Sequence, residues 1–312
     1  MSSERPDRVV VVAGEALFDL VLDDDGELRA HAGGGPFNTA RTLGRLGRPV
    51  AYLGRLSRDR FGATLERLLA DDGVGLETAV RTDDPTTLAL AEIDAEGSAR
   101  YRFYAEGTSV PGLTAPDALG ILPPRIAMLH VGSLGVTLEP VATALEAVVE
   151  TVADDALVAV DPNIRPVAIA DPAAYRARLE RILARSHVVK VSVEDLEWLA
   201  PEEEPARAAR DLLAQGPVVA LLTRGGEGAL VITRGGETAI AVPPARVVDT
   251  IGAGDAFGGG FLAWWHAHGL GADALDDDDA VVAARASQCS SPRARASAPA
   301  PRRPMRARSG TP

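Results

Sequence analysis

Short unbroken apolar runs alternate along this chain with longer stretches whose apolar positions recur every three or four residues. That rhythm is the signature of buried strands separated by covering helices. Residues 8–13 (RVVVVA) are the first run, a β-branched block ending at Gly14, and predict a first strand buried on both faces. The same reading predicts strands at 50–53, 127–131, 156–160, 187–191 and 218–223, and helices at 59–71, 138–152, 172–184, 193–199 and 205–215. Two places break the rhythm. Short segments at about 17–32 and 86–105 fold back at Asp24-Asp25-Gly26 and at residues 94–97, and predict two hairpins. The expectation is an α/β fold: a mostly parallel sheet with helices on both faces, and a small β appendage placed to act as a lid. Ligands on such a sheet bind beyond the carboxyl ends of its strands.

Composition narrows the classes. At 312 residues and 46% hydrophobic content one large domain is expected, over residues 1–284. The apolar runs are far shorter than a bilayer crossing and no basic segment leads into one at the start, so a cytoplasmic protein without membrane contact is expected. A lone Cys289 excludes an internal disulfide and a thiolate metal cluster. The net charge of −12 argues against nucleic acid as a partner, so a phosphate-bearing ligand has to be held locally. Lys190 is the only lysine among 32 basic residues, a bias of composition. From Arg285 to Pro312 the chain turns to Ala, Pro, Ser and Arg, with seven Arg and no acid. This segment reads as a disordered basic tail or the product of a shifted reading frame.

Two motifs carry the chemistry. In Asp249-Thr-Ile-Gly-Ala-Gly-Asp255, small residues at Gly252, Ala253 and Gly254 let the backbone approach a ligand just where an apolar helix begins. A helix N-terminus offers free N–H groups and about half a positive charge, an anion hole for a phosphoryl group. Asp255 beside it can take the proton of an attacking hydroxyl, although an acid there is also a routine helix-start residue. The second motif, Gly33-Gly34-Gly35-Pro36-Phe37-Asn38, joins the first hairpin to a helix and places an amide side chain beside backbone that a sugar could approach. It is neither a Walker A loop nor a dinucleotide fingerprint.

These motifs, in this order and about two hundred residues apart, resemble the PfkB (ribokinase-like) family of carbohydrate kinases, over about Val9 to Leu270 and towards its fructokinase and ketodeoxygluconate kinase branch. The resemblance implies a three-layer α/β/α body with a β lid, ATP and Mg²⁺ as cofactors with K⁺ as a further candidate, and a sugar as acceptor. Asp255 would be the base and Gly252, Ala253 and Gly254 the anion hole. Asp19, Gly34, Gly35 and Asn38 would bind the sugar, with Arg102, Tyr104 and Arg165 near it. Asn163, in Asp161-Pro-Asn-Ile-Arg-Pro166, would lie near the phosphates; Thr223, Gly225, Gly226 and Gly228, with Gly252 and Gly254, would carry nucleotide. Read without the resemblance, 161–163 is equally a β-turn and 223–226 a strand exit.

Three departures from the family pattern stand out. Where the family has Asn-x-x-Glu near magnesium, this chain has Ser192-Val-Glu-Asp195, so Ser192 is assigned to nucleotide, Asp195 and Asp249 to metal-bound water. Lys190 reads either as a solvent-facing strand end or as a phosphate contact. The lid shows Phe103-Tyr104-Ala105 where Arg would follow Phe-Tyr, and nothing after Arg285 resembles the family's last helix. A nucleoside kinase of the same fold and a catalytically impaired sugar- or nucleotide-binding protein are the rival readings. The lid face is a candidate surface for a homodimer.

Overall fold

The computed structural model describes residues 8–22, 26–93, 99–241 and 252–286. Its strands are β1 (Val9–Ala13), β2 (Leu17–Leu22), β3 (Leu28–Gly33), β4 (Val50–Ser57), β5 (Ala79–Thr82), β6 (Leu88–Ile93), β7 (Ala99–Tyr104), β8 (Ile126–Gly132), β9 (Leu157–Asp161), β10 (Val188–Ser192), β11 (Val219–Thr223), β12 (Ala229–Thr233) and β13 (Glu237–Ile240). Nine of them form one sheet in the order β13-β12-β11-β10-β9-β8-β1-β4-β5, parallel from β11 to β5, with β12 and β13 antiparallel at one edge.

Strand residues alternate between two cores. Val11, Ala13, Leu129, Val131, Val158, Val160, Val189 and Val191 face the helices α3 (Ala115–Gly120), α4 (Val141–Val152), α5 (Pro172–Ala184), α6 (Val193–Leu199) and α7 (Pro205–Asp211). Val10, Val12, Met128, Leu157, Ala159 and Val188 face α1 (Gly35–Arg45), α2 (Arg60–Asp71), α8 (Ala253–Ala267) and α9 (Asp278–Ala286). Apart from His130 and Lys190, both faces of the central strands are therefore apolar, which is why these runs carry no regular polar alternation. Side chains set the helix starts: Asp59 accepts from the Gly62 N–H, Asp171 from those of Ala173 and Ala174, and Ser192 and Asp195 close a reciprocal box at α6.

A second sheet, β3-β2-β6-β7, is the predicted lid. Its two hairpins join through a parallel pairing of β2 with β6, Asp19 opposite Ala89. Leu17 and Ala89 pack on Leu134 of the body, together with the half-buried Phe103. The strand and helix alternation, the sheet covered on both faces and the lid all stand as expected. Four elements went unread, namely α3, β5, β12 and β13, and the stretch 205–215 is α7 followed by a 3-10 turn at Leu212–Gln215. The Ala/Pro/Arg tail falls outside the described residues beyond Ala286. Among the described residues no helix is long and apolar enough to cross a membrane.

Candidate active site

The sheet's topology marks where a site forms. The chain runs from β1 to β4 on one side and returns to β8 on the other, so the crevice between the carboxyl ends of β1 and β8 is the topological switch point. Gly14 and Glu15 leave β1 there, and Gly132 and Ser133 leave β8. Asp161, Ser192 and Thr223 end β9, β10 and β11 along the same edge.

Over this edge lies the start of α8. Gly252 caps it in the left-handed region, φ 76°, a conformation that glycine adopts without strain. The cap carbonyl accepts from the Ala256 N–H at 2.9 Å, so the N–H groups of the first turn are left to point outward. A methyl on Gly254 would sit 2.9 Å from Lys190 Nζ, so any side chain there would make the ammonium shift. The start of α8 and the Lys190 ammonium thus lie close together, an arrangement that suits a phosphate.

Lys190 is not the solvent-facing strand end that its position suggested. It is buried, paired with Asp161 at 2.9 Å, and placed on the α8 side of the sheet by the alternation of β10. Burial opposes its charge, but Asp161, Asp255 and Asp195 outweigh that and hold the ammonium above its ordinary range. Beside it His130 is fully buried, and burial followed by the Lys190 charge pushes the imidazole down to about 4, so it is neutral. The second oxygen of Asp161, Oδ1, is buried and has no hydrogen-bond partner among the described residues.

Asp255, in the first turn of α8, is buried. Its Oδ2 accepts from Asn38 Nδ2 at 2.9 Å, a contact that joins the two sequence motifs across 217 residues. Burial and then the Asp161 charge push its carboxyl up to about 6, against Lys190, the Asn38 hydrogen bond and Arg165. Gly35 fits between the parts: a methyl there would lie 3.3 Å from Asn163 Nδ2 and 3.5 Å from Asp255 Oδ1. Gly34 holds φ 110°, and Asn163 also adopts a left-handed backbone at φ 39°. On the lid, Asp19 is half-buried with its carboxylate against Gly33, the first residue of the glycine turn.

Other expected residues are distributed less tightly. Arg165 is exposed just past the β9 exit and acts on Asp255 through its charge. Thr223 Oγ1 donates to the Val191 carbonyl at 3.3 Å, with Gly225 and Gly226 exposed on open surface beyond it. Gly228 is a backbone requirement, since a methyl there would strike the Ile240 carbonyl. Ser192 and Asp195 serve as a helix cap: Asp195 Oδ1 accepts from the Ile164 N–H at 2.6 Å and Oδ2 from the Ser192 N–H at 2.8 Å. Asp249 lies outside the described residues.

Arg102 and Tyr104 lie elsewhere on the lid. Register aligns Asp19 with Ala89 and Ala89 with Phe103, so these three share the lid face that packs on Leu134. Arg102 and Tyr104 alternate onto the opposite face and are exposed, so neither is brought to Asn38 or Asp255. Phe103 is the β7 side chain that packs with Leu17, Ala89 and Leu134. The sequence reading also missed Glu15 and Ser133; the usable signal was an acid placed directly after a fully buried strand. A cavity of about 310 Å³, lined by Arg8, His187 and His266 among others, opens at the amino end of the strands and touches none of the expected site residues.

The family model for pfkB family carbohydrate kinase matches residues 7–300, nearly the whole chain. The chain belongs to this family. It is 36% identical over 261 residues to a fructokinase of Rhizobium leguminosarum bv. trifolii, covering 82% of this chain and 79% of the relative. A fructokinase of Klebsiella pneumoniae is 32% identical, over 83% of this chain and 85% of its own length. Among solved structures, fructokinase with bound ATP from Xylella fastidiosa superposes with a TM-score of 0.79 at 26% identity, covering 90% of this chain and 91% of that one. Aminoimidazole riboside kinase from Salmonella enterica, complexed with aminoimidazole riboside and an ATP analogue, gives 0.77 at 26% identity, over 90% and 92%. This PfkB chain is accordingly a sugar kinase with the ribokinase-like fold, and its family implies ATP and a divalent cation.

Proposed function

We propose that this chain transfers the γ-phosphoryl group of ATP to a hydroxyl of fructose or a closely related ketose, with Asp255 as the base. The observation that carries this reading is the Asn38–Asp255 hydrogen bond, which holds the sugar-side turn against the start of the phosphate-side helix. Asp255, with a carboxyl at about 6, is largely ionised at neutral pH yet basic enough to accept a hydroxyl proton. The first-turn amides of α8 beyond Gly252, backed by Lys190, hold the negative charge of the group in transfer. Asp19 and Asn38 orient the acceptor, and the lid over them excludes water that would otherwise compete for the phosphoryl group.

The residues present fit a nucleotide phosphate better than a metal cage. Among the described residues no three His, Cys, Asp or Glu side chains gather around one point. Mg²⁺ is commonly held by phosphates, waters and one or two carboxylates, and it would supply charge neutralisation between the phosphates here. Asp195, whose oxygens each accept one backbone N–H, has lone pairs left for metal-bound water. Thr223, Gly225 and Gly226 lie where nucleotide would cross the end of β11.

The fructokinase relatives favour a ketose, and the likeness to an aminoimidazole riboside kinase supports a nucleoside as the second reading. A coupled assay for ADP release over fructose, ribose, 2-keto-3-deoxygluconate, adenosine and aminoimidazole riboside separates them. Fructose is expected to give the highest kcat/KM; a nucleoside preferred over every sugar would overturn the assignment. A homodimer through the lid is part of the same proposal, supported by the exposed Leu28, Tyr101 and Tyr104, and light scattering of the purified chain tests it.

A further inference from the structure

Glu15 follows Gly14 at the exit of β1, where a carboxylate would ordinarily reach water, yet its side chain is buried. Its Oε1 accepts from the Gly35 N–H at 3.0 Å and its Oε2 from the Gly135 N–H at 3.2 Å, and the Ser133 side chain adds a further hydrogen bond. These partners stand on both sides of the switch-point crevice. Gly35 opens α1, whereas Ser133 and Gly135 belong to the turn that leaves β8. Glycines make the convergence sterically feasible: a methyl on Gly34 would come within 2.7 Å of the Glu15 carbonyl oxygen, and one on Gly135 within 2.8 Å of the Gly14 Cα.

The far side of Gly35 faces Asn163 Nδ2 and Asp255 Oδ1. Asn163 Nδ2 in turn donates to Ser133 Oγ at 3.4 Å. One buried carboxylate therefore stands a single backbone residue behind the candidate base. Ser133 and Asn163 both hold left-handed backbone, φ 54° and 39°, a strained state that persists only where surrounding contacts enforce it. The neighbouring Tyr52 donates its hydroxyl to the Gly14 carbonyl at 2.7 Å. Burial pushes the Glu15 carboxyl up to about 7, its hydrogen bonds offsetting only part of that effect, so both protonation forms are populated near neutral pH.

We propose that Glu15 is a positioning residue for the phosphoryl acceptor. By holding the Gly35 and Gly135 N–H groups together it sets the Gly34-Gly35 turn, and through Ser133 the Asn163 side chain, in the arrangement that binds the acceptor. The proposal rests on the sugar-kinase reading above and adds to it a residue that never touches the sugar.

Glu15→Gln keeps the shape but turns one acceptor into an NH₂ group facing an N–H donor. With the acceptor that the unsubstituted enzyme uses best, its acceptor KM is expected to rise about tenfold or more, because small misplacements of a positioning turn cost heavily. The KM for ATP and kcat should each stay within about threefold, a split that general loss of structure would not produce. Glu15→Asp, one methylene too short to span both amides, is expected to behave in the same way. An unchanged acceptor KM, or equal rises in both KM values, overturns the proposal. If Glu15→Gln fails to fold, Ser133→Ala provides the reading instead: its acceptor KM should rise with the ATP KM unmoved, and an unmoved acceptor KM overturns the proposal equally. Lack of turnover with any sugar by the unsubstituted enzyme would remove the underlying reading and this inference with it, whereas failure in the variants alone removes only Glu15.

Discussion

Asp255 is set by opposing influences, burial and Asp161 pushing its carboxyl up and Lys190, Asn38 and Arg165 pulling it down. As the base it works ionised, so kcat is expected to fall on the acid side with a midpoint near 6, read from the pH profile of initial rates. Stability shifts in the opposite sense. A carboxyl raised in the folded chain binds protons there more tightly than in the unfolded chain, so its contribution is full below about 3.9 and is lost as pH rises through about 6. Asp255→Asn should remove that loss, and its urea midpoint should gain on the parent between pH 4.5 and 7.5, conditions chosen roughly to bracket the shift. Lys190→Met should act the other way. It strands the Asp161 carboxylate beside Asp255 and Asp195, and breaking a buried pair of this kind costs about 3–5 kcal/mol in urea unfolding. Asp255 and Asn38 were legible because each sits within a glycine-marked motif. Glu15 was not, and Lys190 was read only as one of two alternatives, since nothing in a linear pattern tells a buried charge at a strand end from a solvated one.

At the scale of elements, α1 and α8 are packed closely because small residues face each other. A methyl on Gly259 would lie 3.1 Å from Thr42 Cβ and 3.4 Å from the Thr39 carbonyl oxygen. Gly259→Ala should therefore force the two helices apart, at about 1–3 kcal/mol by chemical denaturation, and loosen the Asn38–Asp255 contact that the pair carries. Central strands declared themselves by their β-branched runs and helices by their period. The edge strands β5 and β13 did not, being four residues each and half-exposed. In the lid, alternation decides which side chains matter. Arg102→Ala and Tyr104→Ala should leave the acceptor KM within about twofold, while Phe103→Ala, which removes packing on Leu17 and Ala89, should raise it.

For the molecule as a whole, the two motifs are remote in sequence and adjacent in space because β1 lies inside the sheet, between β8 and β4. The turn after β3 and the start of α8 both reach the switch point, and the lid hangs from the same segments through β2 and β3. Alternation of elements was enough to predict the layers. The parallel join of β2 with β6 was not, since pairing between separate hairpins leaves no local mark. The account rests on Asp255 as the proton acceptor beside the α8 amides, and the turnover of Asp255→Asn, measured together with its ADP affinity, tests this most directly. The predicted result is a kcat lower by about 10²–10⁴ with ADP binding within a few fold of the parent. A variant that turns over sugar at nearly the parent rate would contradict it.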